Sequence, residues 1–347
     1  MNLRRSNICS FKKILLLLLL IPTFSYSQKT DIITLFNGDH VTGEVKGMRT
    51  GLLELSTDNM GTIFIEWDKI KEIQTNKFFQ ITLDDGRIYF GSIQVSNKKG
   101  MIIIKGVTID KELFLKHIVE ITRIKETFWE ILGGYVQLGV SYNKGSDVAE
   151  LNFSTDLTYN IRKRQFELIL NSVISSSSDS ITSKNQNASF SFLRYLERKW
   201  YWSALVSVNQ NTTLGLDLRA NIGAAIGKDF IHTNDMLLSS QVGLVGNREW
   251  YINQTEPQNN LTLLLTNRFQ YFIYEDPGIT LDSYLFIYPY LTDLGRIRIN
   301  YNFSLDWEII NNLYWNLSLN LSSDNKPQSQ DENKVDYNFY TGLKYSL

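Results

Sequence analysis

Residues 296–310 read RIRINYNFSLDWEII, and no other stretch constrains the fold of this chain as strongly. Ile297, Ile299, Tyr301, Phe303, Leu305, Trp307 and Ile309 alternate without a break with Arg298, Asn300, Asn302, Ser304, Asp306 and Glu308, and Arg296 leads the polar series. Successive side chains of a β-strand point to opposite faces, so a period of two gives one dry face and one wet face. The run is also long against the usual strand of about five or six residues. Either it belongs to one wall of a soluble sandwich, or it belongs to a barrel whose apolar face meets lipid.

The same pattern recurs from about residue 133 to the end of the chain. AELNFSTDLTYNIR (149–162) and LYWNLSLNLS (313–322) alternate in the same way, as does the last strand, VDYNFYTGLKYSL (335–347). Twelve candidate strands begin near Val136, Val148, Gln165, Ala188, Tyr201, Leu216, Met236, Leu261, Leu281, Arg296, Leu313 and Val335. An even count suits a closed antiparallel bacterial barrel. Short turns (162–164, 197–199, 276–278, 311–312) alternate with longer polar connections such as SSSSDSITSKNQN, GNREWYINQTEPQNN and SSDNKPQSQDENK. That alternation matches periplasmic turns and external loops. The segment GKDFIHTND is longer than a turn on the short side should be.

A sandwich explains neither the strand lengths nor the loop pattern. It also leaves unexplained why Tyr159, Trp200, Trp202, Trp307, Tyr314, Trp315 and Tyr345 gather near the short-turn end, where a barrel carries an interfacial aromatic girdle. The barrel reading sends Arg296, Arg298, Asp306 and Glu308 into the lumen, with Glu150, Asp156, Arg219 and Arg268 on the same face. Composition agrees. Hydrophobic residues make up 43% of the 347 and mean hydropathy is −0.18, which excludes a bundle of membrane helices but not a barrel of alternating strands. With 35 Lys and Arg against 36 Asp and Glu, nothing draws the chain to nucleic acid.

Residues 1–27 read as a secretory signal. Arg4, Arg5, Lys12 and Lys13 precede the apolar run ILLLLLLI, and Ser25 and Ser27 set cleavage before Gln28. Cys9, the one cysteine, lies ahead of that run, so the exported chain carries none. Behind the signal, ITLFNGDHVTGEV (33–45) aligns without gaps to ITLDDGRIYFGSI (81–93), and DKIKEI (68–73) to KHIVEI (116–121). One spacing across three landmarks marks a duplicated unit. Each copy has a turn at Asn37-Gly38 or Asp85-Gly86, and a bend at Gly43 or Gly91 in the returning strand. The expected fold is all-β: two tandem small SH3-like or Sm-like β-barrel modules (28–76 and 77–127), then a barrel of about 12 antiparallel transmembrane strands (128–347).

Two resemblances bear on function. The module frame is similar to the first motif of Sm-like RNA-binding proteins. The balanced charge and the export signal argue against RNA and for a periplasmic docking role. The frame NGD-x-x-x-G-E-V, the segment MGTIFIEWDKI and the barrel opening FWEILGGYVQLGVSYNKGSDVAELN resemble outer-membrane barrels related to the putative salt-induced outer membrane protein, a domain of unknown function. That resemblance covers 128–347 and is most specific at SDVAELN (146–152). It implies an outer-membrane location, contact with outer-membrane lipid, and insertion by the barrel-assembly machinery. Because the modules precede the first barrel strand and the strand count is even, both are expected in the periplasm. No catalytic, cofactor or metal site is assigned. His40, His117 and His232 have no identifiable nucleophile beside them, and no Cys/His ligand spacing or phosphate-binding loop occurs. The chain is therefore expected to be no enzyme. A structural or envelope-maintenance barrel with a periplasmic envelope partner is the first reading, and a passive, porin-like diffusion channel for small solutes or ions is the alternative.

Overall fold

The computed structural model describes residues 30–345 apart from residues 107–109, 125–126, 146, 162, 178–179, 213–215, 253–255, 276 and 327–334. The signal segment and its cleavage point lie outside the described residues. The first repeat folds as β1 (Asp31–Leu35), β2 (His40–Arg49), β3 (Leu52–Ser56), β4 (Thr62–Glu66), a single 3-10 turn (Trp67–Lys69) and β5 (Ile70–Gln74). The second reproduces it element for element: β6 (Phe79–Leu83), β7 (Ile88–Val95), β8 (Met101–Lys105), β9 (Lys111–Phe114), a 3-10 turn (Leu115–His117) and β10 (Ile118–Arg123).

The repeated glycines explain the shape of each unit. Gly38 and Gly86 sit in the hairpin turns at φ +94° and +85°, a region that a Cβ disfavours. The strand that follows turns a corner. β2 pairs with β1 up to Gly43 and with β3 from Glu44 onward, and β7 changes partner in the same way between Gly91 and Ser92. A Cβ on Gly43 would lie 2.7 Å from the Leu55 side chain, so the bend is closed around the missing atom.

The two repeats are stitched into one body. β10 pairs with β6 of its own repeat and with β2 of the first, through Ile121↔Met48 and Thr122↔Gly47. Ile33, Leu53 and Ile73 of the first repeat and Phe79, Ile93 and Ile118 of the second are fully buried in a single apolar core. The Trp67 indole N–H donates to the Leu115 carbonyl at 2.9 Å across the repeat boundary. The boundary between residues 76 and 77 thus separates two repeats of one folded unit. Glu44 clamps the seam, taking hydrogen bonds from Lys46, Lys77 and Arg123. Burial by itself would raise its carboxyl, but these three cations hold it down to about 2.

A short helix, α1 (Phe128–Ile131), leads into twelve strands: β11 (Leu132–Asn143), β12 (Val148–Ile161), β13 (Arg164–Ser177), β14 (Ser180–Tyr195), β15 (Trp200–Asn211), β16 (Leu216–His232), β17 (Met236–Tyr251), β18 (Gln258–Ile273), β19 (Ile279–Pro289), β20 (Ile297–Ile310), β21 (Leu313–Asp324) and β22 (Val335–Tyr345). Each pairs antiparallel with its neighbours in chain order, forming one sheet that is the wall of a barrel. Among the described residues β11 and β22 are not hydrogen-bonded to each other. Even tilted, strands of 11 to 17 residues outreach an apolar band of about 25 Å.

Three connections differ from expectation. GNREWYINQTEPQNN, read as a loop, is strand over 246–251 and 258–260, where Gly246 pairs with Leu261 and Glu249 with Gln258. The serine-rich segment read as a loop is mostly strand, since β13 runs to Ser177, β14 starts at Ser180, and Ser175 pairs with Ser183. Ladder bonds are made by the backbone, so a stretch of Ser, Thr and Asn can extend a strand where both faces are wet. GKDFIHTND likewise stays in β16 to His232, with a bulge between Asp229 and Ile231, and leaves a turn of only three residues (233–235).

Candidate functional site: the polar face and the covered mouth

Register carries the facing of one strand to all the others, because directly paired residues share a face. Starting from Phe303, the apolar face passes through Leu319 and Phe339 in one direction and through Ser283 and Phe269 in the other. On this face Leu138, Val140, Ile222 and Leu343 are exposed, an arrangement suited to lipid and not to water. Near the short turns the rings of Phe128, Tyr159, Phe166, Phe192 and Trp202 touch in succession, with centroids 4.9–6.2 Å apart. Trp307 and Trp315 meet at 6.3 Å on the same face. Tyr314 does not join this girdle. It pairs with Glu308 and Lys344 on the polar face, because the alternation of β21 puts it opposite to Trp315.

The four residues expected in the lumen have different settings. Arg298 and Asp306 lie on the polar face of β20. The Arg298 guanidinium stacks over Tyr288 at 4.6 Å, and Asp306 accepts a hydrogen bond from Asn316. Glu308 shares that face but is buried at the turn end, where it accepts the Asn312 backbone N–H at 2.7 Å. Arg296 precedes the strand. It is buried, forms a forked pair with Asp324 (2.7 and 3.1 Å) and stacks on Tyr290 at 4.3 Å. Arg296 and Glu308 therefore fasten connections, and of the four only Arg298 and Asp306 stand along the open part of the face.

The polar face has two textures. Across β12–β18 many of its groups bond one another, although the side-chain oxygens of Asn160, Asn187 and Gln270 are buried without a partner among the described residues. Ser154 donates to Asn171 at 2.9 Å, Asn221 to Asn209 at 3.0 Å, Asn260 to Asn247 at 3.1 Å, and Arg219 pairs with a fully buried Glu249 at 2.7 Å. Tyr201 lies flat across Gly227 and bonds Ser239 at 2.8 Å, in space that a Cβ on residue 227 would fill. Across β20–β22 the row Asn302↔Asn320↔Asn338 is instead exposed, and its amides have no hydrogen-bond partner among the described residues. Alternation places all these residues on one face. It does not say which pairs are long enough to meet, so the Arg219–Glu249 pair and the Tyr201–Gly227 packing could not be read from sequence.

The N-terminal unit sits on the short-turn end of the sheet. Asn234 of the β16–β17 turn donates to the Ile118 carbonyl at 3.1 Å and lies against Gly51. Gly86 abuts the backbone of Lys199 in the β14–β15 turn. Lys69 pairs with Glu275 after β18, and the Tyr274 hydroxyl reaches Thr50 at 3.4 Å. Between the two bodies lies a cavity of 720 Å³ with Trp67, Phe114, Phe272 and Tyr274 in its wall. Glu66, Asp68 and Glu275 bring their carboxylates within 4.8 Å of one another at its rim, where Lys69 offsets part of the charge. The histidines are placed apart from one another. His40 bonds Thr34 at 3.0 Å, His117 bonds Asp84 at 2.8 Å, and His232 lies 3.9 Å from Asp229.

Twelve consecutive antiparallel strands, apolar on one face and polar on the other, define a membrane β-barrel protein. Residues 136–347 match the family described as a protein of unknown function, DUF481, and the chain belongs to that family. No curated protein matches. A solved structure, the beta domain of the Bordetella autotransporter BrkA, is similar over 62% of this chain and 96% of its own, at 13% identity and a TM-score of 0.27.

Proposed function

We propose that the protein resides in the outer membrane as a structural or envelope-maintenance barrel, with its N-terminal double-repeat unit held in the periplasm as a docking module. The observation that carries this is the seat of the unit on the short-turn end, through the turns at Lys199, Asn234 and Glu275. Short turns of bacterial barrels face the periplasm. Nothing in the arrangement of the three histidines supports a hydrolytic role, and the reading assigns none. Protease added to intact cells should leave the full chain uncut. After outer-membrane permeabilisation the N-terminal unit should become cleavable. Cleavage of the unit on intact cells would reverse the orientation and end the docking reading.

A passive diffusion channel is the second reading, favoured by the open, unpartnered amides of Asn302, Asn320 and Asn338 on the polar face. Its test is steady current of the purified full chain in planar bilayers. Silence across repeated insertions would remove it.

A further inference from the structure

On the polar face of β19–β22, Phe286 and Tyr288 stand beside the amides of β20, β21 and β22 around a cavity of 430 Å³. The rows Phe286↔Asn300↔Ser322↔Asp336 and Asn302↔Asn320↔Asn338 run side by side across the strands. We infer that this patch is a binding site for a neutral oligosaccharide. The inference rests on the reading of this face as the wetted interior of an outer-membrane barrel.

The chemistry of the wall selects the ligand. Each Asn amide offers two donors and an acceptor, and a sugar hydroxyl both donates and accepts. Neighbouring strands lie about 4.8 Å apart, which spaces the three amides of one row close to the length of a hexose ring. The amides of Asn302, Asn320 and Asn338 and the carboxylate of Asp336 have no partner among the described residues, so they can bond a ligand without breaking existing contacts. Phe286 offers a ring face against which the C–H face of a pyranose packs, and Tyr288, whose own ring carries the Arg298 guanidinium, borders it. The alternatives fit poorly. An anion needs a cation in the wall, and the described wall has none. Arg298 is stacked on Tyr288, and Arg296 is paired with Asp324. A cation would find a single carboxylate, and an apolar ligand would strand four asparagine side chains.

Calorimetric titration of the detergent-solubilised full chain with maltotriose tests the site, with trigalacturonate as an anionic probe of the same size. Saturable binding of maltotriose is expected, with weaker binding of trigalacturonate because of Asp336. The double variant Asn302→Ala/Asn320→Ala should bind maltotriose about tenfold more weakly, the loss of two ordinary hydrogen bonds. Phe286→Ala should also weaken it. Heat-shifted gel mobility reports folding. If the double variant does not fold, the near-isosteric Asn338→Asp decides, and it too should weaken maltotriose. No binding by the parent chain, or undiminished binding by folded variants, overturns the site. Potassium chloride current in planar bilayers separates this from the channel reading. Binding without current upholds the site while the channel falls, and current without binding does the reverse.

Discussion

Phe303 and Ser304 are adjacent in the middle of β20 and lie on opposite faces of the wall. Phe303 pairs with Ser283 and Leu319 on the apolar face and stacks with Tyr301 at 6.4 Å. Ser304 pairs with Asp282 and Ser318 on the polar face. An arginine near the bilayer midplane of a barrel costs about 2–4 kcal/mol, whereas the same residue on the inner face stays in water. Phe303→Arg also removes the ring contact, so its cost should fall in the upper half of that range. Ser304→Arg brings a cation beside Asp282 and should change stability by less than about 1 kcal/mol. Urea unfolding of both variants refolded into lipid vesicles measures the difference directly. If the two midpoints coincide, or if Ser304→Arg is the worse variant, the facing of every strand inferred through the register is inverted or wrong.

Three further outcomes follow from the geometry. Glu44 titrates near 2 in the folded unit against an ordinary 4.5, so its contribution is fully present above pH 4.5 and is lost as pH falls toward 2. After discounting for solvent around Lys46 it amounts to about 2 kcal/mol. Glu44→Gln should therefore destabilise the unit at pH 7 and flatten its acid unfolding below pH 4.5, and an unchanged acid limb would exclude Glu44 as its source. Gly38→Val and Gly86→Val both force a β-branched residue to positive φ, at about 1–3 kcal/mol, but Gly38 faces open space and Gly86 faces the Lys199 backbone. Limited proteolysis should accordingly release the N-terminal unit more readily from the second variant, and equal release would argue against that contact. Gly227→Val should run into the Tyr201 ring and cost about 1–3 kcal/mol, with Tyr201→Ala restoring part of it. Additive losses in the double variant, measured by urea midpoint, would contradict the packing.

How much was legible in the sequence depends on the period of the signal. The wall has a period of two and one buried or lipid-facing side, so most strand starts read from alternation fall within a few residues of those observed, from Val148 to Val335. The exception is informative. Clear alternation starts β14 at Ala188, yet the ladder extends back to Ser180 through the mostly polar run SITSKNQN. Periodicity reports the face a residue shows, and falls silent where both faces meet water. The same limit applies to Arg296 and Glu308, whose place in the polar series was legible while their fixed bonds to Asp324 and the Asn312 backbone were not. The repeat was readable from Gly38 and Gly86. Its fusion into one core was not, because β10 crosses to β2 through only two residue pairs.

The two textures of the polar face also bear on how the covered mouth and the open patch can coexist. The cross-bonded region β12–β18 contains the strands whose turns at Lys199, Asn234 and Glu275 carry the N-terminal unit. Cross-strand hydrogen bonds such as Asn221–Asn209 and Arg219–Glu249 stiffen that arc, which suits the seat of a docked unit. The unpartnered amides lie on β20–β22, beyond those turns, where no described hydrogen bond or ion pair ties the wall to the unit. The unit can thus hold its seat on one arc while the solute-facing amides remain in water on the other. A substitution that loosens the seat, such as Asn234→Ala, should accordingly leave maltotriose binding at Asn302 and Asn338 unchanged, whereas coupled losses would show that the unit reaches across the mouth.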